Sequence, residues 1–534
     1  MKKKLLLAFI IILAIGLRLI FINKPDGLWN DEYVSWMIAS TPFGHGFVNA
    51  VKSQCHMPFY YLYLKFFMFF FGQSDLVLRL TSLFTGVLAI PAMFFLGKEK
   101  DEQTGFLCAG LSAISSFLIY YSQEVRLYSV LFLFSALCVL YTIRLIKNPC
   151  KKNIILCVLF NFLILFTHTI GFVFVFFNLI YISLNNKKSS VYIWSALALG
   201  SIATAPLAYK IMTTQSFSQW WGHFTISKLG FLLTDYFSPV LTNLTNAPDK
   251  FLYEPKLAFF MIVPMLIAVG FIIKGLKKNY QLFILACSVV FVLMLAAISG
   301  KLVFITKYSI EIYPILIYLA CAGATSIENK VLRNILIGLY CAISLGYILI
   351  HPYSAPKMHR AEGNKIATDM IERMDLKKGD IILLQYYPQS RFEKYFDFSD
   401  YKVIQIHKGN FQQFLSANVD YAEAYQNGKG IYRDIFAGQK NEYFDNLIKK
   451  HVLDTMKPNQ SIVMVFLDSV AFYSPDDLAL IARDKSLYDS KPLLFLVFSY
   501  IKNMTFIDLM NALPVARVDR KGNWTVVKFT KLNK

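Results

Sequence analysis

The sequence predicts a polytopic α-helical membrane protein of about eleven transmembrane helices, followed by a C-terminal extracytoplasmic α/β domain. Three observations predict it. The 534 residues are 56% hydrophobic and 16% charged, whereas soluble domains carry about a quarter charged residues. Apolar runs of membrane-crossing character recur as far as residue 350 and then stop. Lys and Arg gather at alternate ends of those runs, the pattern of cytoplasmic loops. The net charge of +20 follows that pattern. It therefore reads as a topology signal and an attraction for anionic membrane lipids, with no nucleic-acid partner.

Lys2, Lys3 and Lys4 hold the start of the first span, Leu5 to Ile22, in the cytoplasm. The run is longer than a secretory signal core and no small-x-small cleavage site follows, which predicts an uncleaved anchor. Asp31 and Glu32 then emerge on the outer face, beside Trp29, Tyr33 and Trp36. Aromatic, low-dielectric surroundings raise the pKa of a carboxylate, which suits a general base. The first outer loop, residues 23–75, also holds His56 and Tyr60. Its apolar run after Pro58 is too short to span and carries Lys65. It reads as a helix along the outer interface, with Tyr and Lys at headgroup level.

The remaining spans are read at Leu76–Gly97, Phe106–Tyr120, Leu127–Ile146, Ile154–His168, Gly171–Leu184, Val191–Met212, Leu257–Ile273, Leu282–Ile298, Tyr308–Ala324 and Leu332–Ile350. This divides the chain into a membrane domain, 1–350, and a soluble domain, 351–534. An outer region from Thr213 to Lys256 contains Trp220, Trp221, His223 and Pro248. In the tail, strands are expected at Asp380-IILLQYY, Lys402-VIQIH, Ser461-IVMVFLD and Trp524-TVVKF, and helices at Asn364–Met374 and Pro475–Asp484. No glycine-rich nucleotide loop occurs in the tail.

Charged groups at the outer ends of spans are costly unless they have work to do. Glu124 and Tyr128 are four residues apart on one helix face, with Arg126 on another. A guanidinium fork suits phosphate oxygens. Lys307 and Tyr308, with Glu311 and Pro314, open another span on the same face, where Lys307 can meet a second phosphate oxygen. His168 reads as a packing residue. His45, His56 and His223 also lie outside, but their spacing is non-specific. No cofactor is assigned, and a divalent metal is left open. The eight Cys form no CxxC pair and no disulfide framework.

The order of these motifs resembles a known family. An Asp-Glu pair follows the first span, then His56-x-Pro58-x-Tyr60-Tyr61. FG-x-S-D-x-x-x-R ends at Arg79, YSQE-x-R-x-Y runs through Tyr128, and Lys307-Tyr308 precedes Pro314. The set resembles the C-type membrane glycosyltransferases of family 39, akin to protein O-mannosyltransferases and the lipid A aminoarabinose transferase, over Leu5 to Pro352. The resemblance implies a multi-pass enzyme of the cell (inner) membrane, with a cytoplasmic N-terminus. It would move a sugar from a polyprenyl-phosphate carrier to a hydroxyl of a lipid, glycan or protein acceptor, with inversion. It implies Asp31 as base and Glu32 as its partner in positioning. Arg126 and Lys307 would contact the carrier phosphate, supported by Tyr128 and Tyr308. The chain departs from the aminoarabinose transferase pattern, having His56-Met57-Pro58 where that family has Glu-Lys-Pro. Lys307 stands where many relatives have Arg. A transporter or flippase of a lipid-linked anion is the alternative. It would need ionisable groups near mid-membrane and repeated broken helices, whereas here the charges gather at one edge.

Overall fold

A computed structural model describes residues 2–20, 22–24, 26–53, 57–214, 226–241, 255–299, 304–350, 364–385, 392–406, 453–467, 509, 513, 515–521 and 524–531. His56, Trp220, Trp221, His223, Pro248 and the helix expected at Pro475–Asp484 lie outside them. Contacts divide the chain into two compact units. One comprises Met1–Lys24, Asp31–Ser218 and His223–Met358, and the other Pro25–Asn30, Gln219–Gly222 and His359–Lys534.

The first unit is helical. Its elements are α1 (Lys2–Leu19), α2 (Asn30–Ser40), α3 (His45–Ser53), α4 (Phe59–Phe71), α5 (Asp75–Lys98), α6 (Glu102–Ile114), α7 (Ser116–Tyr121) and α8 (Tyr128–Lys147). Next come α9 (Lys151–Thr167), α10 (Gly171–Asn185), α11 (Lys187–Thr214), α12 (Ser227–Phe237), α13 (Pro255–Ile298), the 3-10 helix η1 (Thr306–Ile312), α14 (Tyr313–Ala324) and α15 (Lys330–Ile350). Among the described residues, four helical stretches are long and apolar enough to cross a membrane: Asp75–Lys98, Tyr128–Lys147, Ala258–Ile298 and Lys330–Ile350. Helix α13, which covers the two spans expected at Leu257–Ile273 and Leu282–Ile298, breaks at Asn279 (φ −133°, ψ 25°), next to Lys277 and Lys278.

Two expected spans are not single α-helices. The run from Phe106 to Tyr120 is interrupted at Ser115, whose backbone is extended (φ −66°, ψ 115°). The Ser115 hydroxyl accepts the Leu118 N–H at 3.3 Å. A serine side chain bonded to nearby backbone competes with the helix ladder and caps a new turn. The run from Tyr308 to Ala324 begins as η1 and turns α-helical near Pro314, because proline suits the first helical turn, where its missing N–H costs nothing.

Apolar periodicity alone does not explain how closely the helices approach. A Cβ on Gly323 would lie 1.8 Å from the Phe271 carbonyl oxygen and 2.7 Å from the Gly275 nitrogen. Only a residue without a side chain fits where α13 and α14 cross, the small-residue contact that packs helices where no hydrophobic drive separates helix from lipid. The Lys65 ammonium donates to the carbonyls of Ala39 (2.8 Å) and Thr41 (2.7 Å). A cation at the C-terminal carbonyls of α2 is favoured by the helix dipole.

The second unit holds a five-stranded sheet in the order β2-β1-β3-β5-β4. The strands are β1 (Ile381–Gln385), β2 (Lys402–Ile406), β3 (Ser461–Leu467), β4 (Val515–Lys521) and β5 (Trp524–Thr530). β1 pairs parallel with β2 and β3, while β5 runs antiparallel to both β3 and β4. Helix α16 (Asn364–Glu372) lays Ile366, Ala367, Met370 and Ile371 on Val463, Val465, Trp524 and Val526. Asp380 belongs to the turn before β1, accepting the N–H of Lys377 and of Ser461, each at 2.8 Å. Strand β4 was not expected: its exposed, charge-rich VARVDRK lacks the apolar face that marks a buried strand.

Candidate active site

Asp31 and Glu32 occupy the first turn of α2, where carboxylates complement the helix dipole. Adjacent helical residues project about 100° apart, and the two side chains meet opposite environments. Glu32 is fully buried. Its Oε1 accepts from Arg79 Nε at 3.0 Å and from the Val125 N–H at 3.1 Å, and its Oε2 accepts from Arg79 Nη2 at 2.7 Å. This is a two-point guanidinium–carboxylate fork with both partners at 0% side-chain exposure.

The Asp31 side chain keeps 28% of its surface exposed. Its Oδ2 lies 3.7 Å from Arg126 Nη2 and 3.7 Å from Lys307 Nζ. Arg126 is braced by donating Nη1 to the Asp31 carbonyl (3.3 Å) and the Ser35 hydroxyl (3.4 Å). The Tyr128 ring faces both cations, 5.5 Å from Lys307 and 6.0 Å from Arg126, and the Tyr308 ring lies 5.6 Å from Lys307. Such rings favour a desolvated cation. Burial works against the charge on Arg126, but Asp31 together with Tyr128, Tyr61 and Tyr308 outweighs it and the guanidinium stays protonated.

The loop between α7 and α8 holds these groups together. Gln123 Nε2 donates to the carbonyls of Arg18 (3.0 Å) and Ile20 (2.7 Å). Arg18, wholly buried, donates to the Ser122 hydroxyl at 3.1 Å and to the carbonyls of Ser112 and Ala113, each at 3.0 Å. Glu124 is 1% exposed, and among the described residues its Oε1 accepts no hydrogen bond. Burial pushes its carboxyl up to about 7, with Glu32 adding and Lys24 opposing. At Glu32 burial also pushes upward, but Arg79, Lys24 and the Val125 N–H hold the carboxylate ionised.

Tyr60 is buried in α4, with its ring 5.7 Å from that of Tyr61, and both phenols feel the charge of Arg126. His168 lies 4.0 Å from Glu311, and its ring lies flat against Tyr308 at 6.0 Å. Asp31, Arg126, Tyr128, Lys307 and Tyr308 therefore come together. Glu32 turns away into the core, Glu124 and Tyr60 are buried beside the cluster, and His56 lies outside the described residues. Among the described residues no group of three or more His, Cys, Asp or Glu is placed to hold a metal ion.

Sequence reading gave Arg79 no site role. Its signal was present, a lone Arg inside an apolar span, since a charge there needs a partner. Asp235 was also missed. It is 1% exposed and accepts from the Thr306 hydroxyl at 2.7 Å.

No family model matches the chain, and no curated protein matches it in sequence. Solved structures do. ArnT from Cupriavidus metallidurans, bound to undecaprenyl phosphate, superposes with a TM-score of 0.52 at 10% identity, covering 98% of this chain and 97% of ArnT. The apo state of the same protein gives the same values. The Archaeoglobus fulgidus oligosaccharyltransferase complex with Zn and sulfate covers 71% of this chain and 60% of that one, at 12% identity and a TM-score of 0.38. The fold expected from the motifs is the one found: over nearly its whole length this chain has the fold of ArnT, a multi-pass membrane architecture with a small C-terminal sheet.

Proposed function

We propose that the protein is an inverting glycosyltransferase of the family 39 kind, moving a sugar from a polyprenyl-phosphate carrier to an acceptor hydroxyl at the outer face of the membrane. One observation carries this reading: the partly exposed Asp31 carboxylate stands 3.7 Å from both Arg126 and Lys307. ArnT, which shares the fold, has been crystallised with undecaprenyl phosphate.

In the resting site Asp31 is the counter-ion of both cations. A carrier phosphate takes over those cations and leaves Asp31 free to accept a proton. The acceptor oxygen loses its proton to Asp31 and attacks the anomeric carbon. The bond from that carbon to the phosphate oxygen breaks, and the phosphate leaves with the electron pair. Arg126 and Lys307 stabilise the charge that develops on it. Tyr128 and Tyr308 keep the cations charged and in place. Glu32, forked to Arg79, positions α2 and so aims Asp31. Protonated Glu124 can donate to a substrate oxygen, and His56 and Tyr60 are assigned to substrate binding. Eleven spans, a cytoplasmic N-terminus and an extracytoplasmic domain from residue 351 go with this reading.

The test uses proteoliposomes supplied with candidate polyprenyl-phosphate sugars. Wild type should release free polyprenyl phosphate and Asp31→Asn should not. Labelled lipid crossing the bilayer without release would support the transporter alternative instead.

A further inference from the structure

We infer that Asp235, with Tyr236, is a positioning residue for the Lys307 end of this site, acting through the 3-10 helix η1; the inference rests on the function proposed above. Lys307 is the second residue of η1. A 3-10 turn has poorer hydrogen bonds than an α-helix and needs outside support. α12 supplies it. The Thr306 hydroxyl donates to Asp235 Oδ2 at 2.7 Å. The Tyr236 hydroxyl donates to the Thr306 carbonyl at 3.3 Å and shares a 2.9 Å bond with the Ser309 hydroxyl. Thr306, Ser309, Asp235 and Tyr236 are each 1% exposed.

The support is itself braced. The rings of Tyr236 and Tyr313 stack at 4.3 Å and 9°. The Tyr313 hydroxyl bonds the Tyr236 carbonyl and lies 2.9 Å from the Ser115 hydroxyl. The Phe117 ring meets both tyrosines edge-on, 5.1 and 5.8 Å away. The Tyr340 hydroxyl donates to the Phe237 carbonyl at 3.0 Å. α12 is thus fixed to the break at Ser115, to α14 and to α15, and presents one carboxylate to the residue before Lys307. A buried carboxylate is a costly way to hold a threonine unless its placement matters, since a hydrogen bond to a charged group is stronger and more directional than a neutral one. Thr306 fixed in this way sets where Lys307 stands relative to Asp31.

The experiment has two readouts. The first is affinity for a short-chain polyprenyl phosphate. Asp235→Ala should weaken it about tenfold, while Asp235→Asn, whose amide oxygen still accepts from Thr306, should restore most of the loss. In a Lys307→Ala background, Asp235→Ala should add less than about twofold. The second readout needs no ligand. Acylation of Lys307 by a water-soluble amine reagent, followed by mass spectrometry, should be faster in Asp235→Ala than in wild type. If Asp235→Ala does not fold, Thr306→Val removes the same hydrogen bond and replaces it in both readouts. The inference is overturned if binding and Lys307 labelling match wild type. It is also overturned if Asp235→Asn loses as much as Asp235→Ala, or if Asp235→Ala costs the full factor in the Lys307→Ala background. If wild type does not bind the phosphate, the proposed function fails and labelling alone decides the role of Asp235.

Discussion

Two neighbouring carboxylates meet opposite fates here. The region around Glu32 is closed: Arg79 and the Val125 N–H satisfy it, and solvent does not reach it. The region around Asp31 is open to 28% of its side-chain surface, and its two cations stand at 3.7 Å, beyond direct hydrogen-bond distance. A closed pair holds structure. A loose, partly wet triad can exchange one anion for another. The difference teaches that an acidic pair in sequence is not a catalytic dyad by default: each member takes its role from what lies opposite it.

The comparison can be broken most forcefully at Asp31. Asp31→Asn should reduce transfer on the order of 10³-fold while leaving thermal unfolding unchanged, and phosphate binding should persist because both cations remain. Transfer at the wild-type rate would remove Asp31 from the mechanism. Next is the closed side. Glu32→Ala leaves Arg79 buried without its fork and should cost about 3 kcal/mol or more in stability. Pairing it with Arg79→Met should recover part of that loss in unfolding measurements. If Glu32→Ala unfolds like wild type but loses transfer, Glu32 touches substrate after all.

Smaller effects sharpen the open side. Lys307→Ala should weaken polyprenyl-phosphate binding about tenfold, and Lys307→Arg should bind better than Lys307→Ala, because a guanidinium also reaches phosphate. Equal affinity in wild type and Lys307→Ala would break the link between this cation and the carrier. The smallest effect concerns Glu124. Its folded-state carboxyl, pushed up to about 7 from an ordinary value of 4.5, favours the protonated form. The stability this gives is whole below the ordinary value and is lost as pH rises through about 7. Melting temperature should therefore fall across that window in wild type and fall less in Glu124→Gln. Parallel curves would show that Glu124 is already ionised in the fold.

Much of the architecture was legible because its cause is local in sequence. Hydropathy marks the long apolar helices. The runs at 381–385, 402–406, 461–467 and 524–530 announce themselves by apolar, β-branched composition. Strand β4 did not, since its stability comes from pairing with β5 and not from a buried face of its own. The interruption at Ser115 was hidden because a serine within an apolar run reads as helix until its hydroxyl finds a nearby backbone donor.

By itself the sequence determined a helical membrane protein with a small α/β tail, and it named Asp31, Arg126, Tyr128, Lys307 and Tyr308 as residues of one face. Hydrophobic periodicity and the cost of charge in lipid act residue by residue, so they leave a readable trace. Only the tertiary structure decided that Glu32 belongs to Arg79, that Glu124 is buried beside the cluster with a raised carboxyl, and that Asp235 holds the helix bearing Lys307. Glu32 and Asp235 depend on partners 47 and 71 positions away, and the Glu124 carboxyl depends on its burial. Burial and hydrogen bonding between such distant groups arise only when the chain has folded.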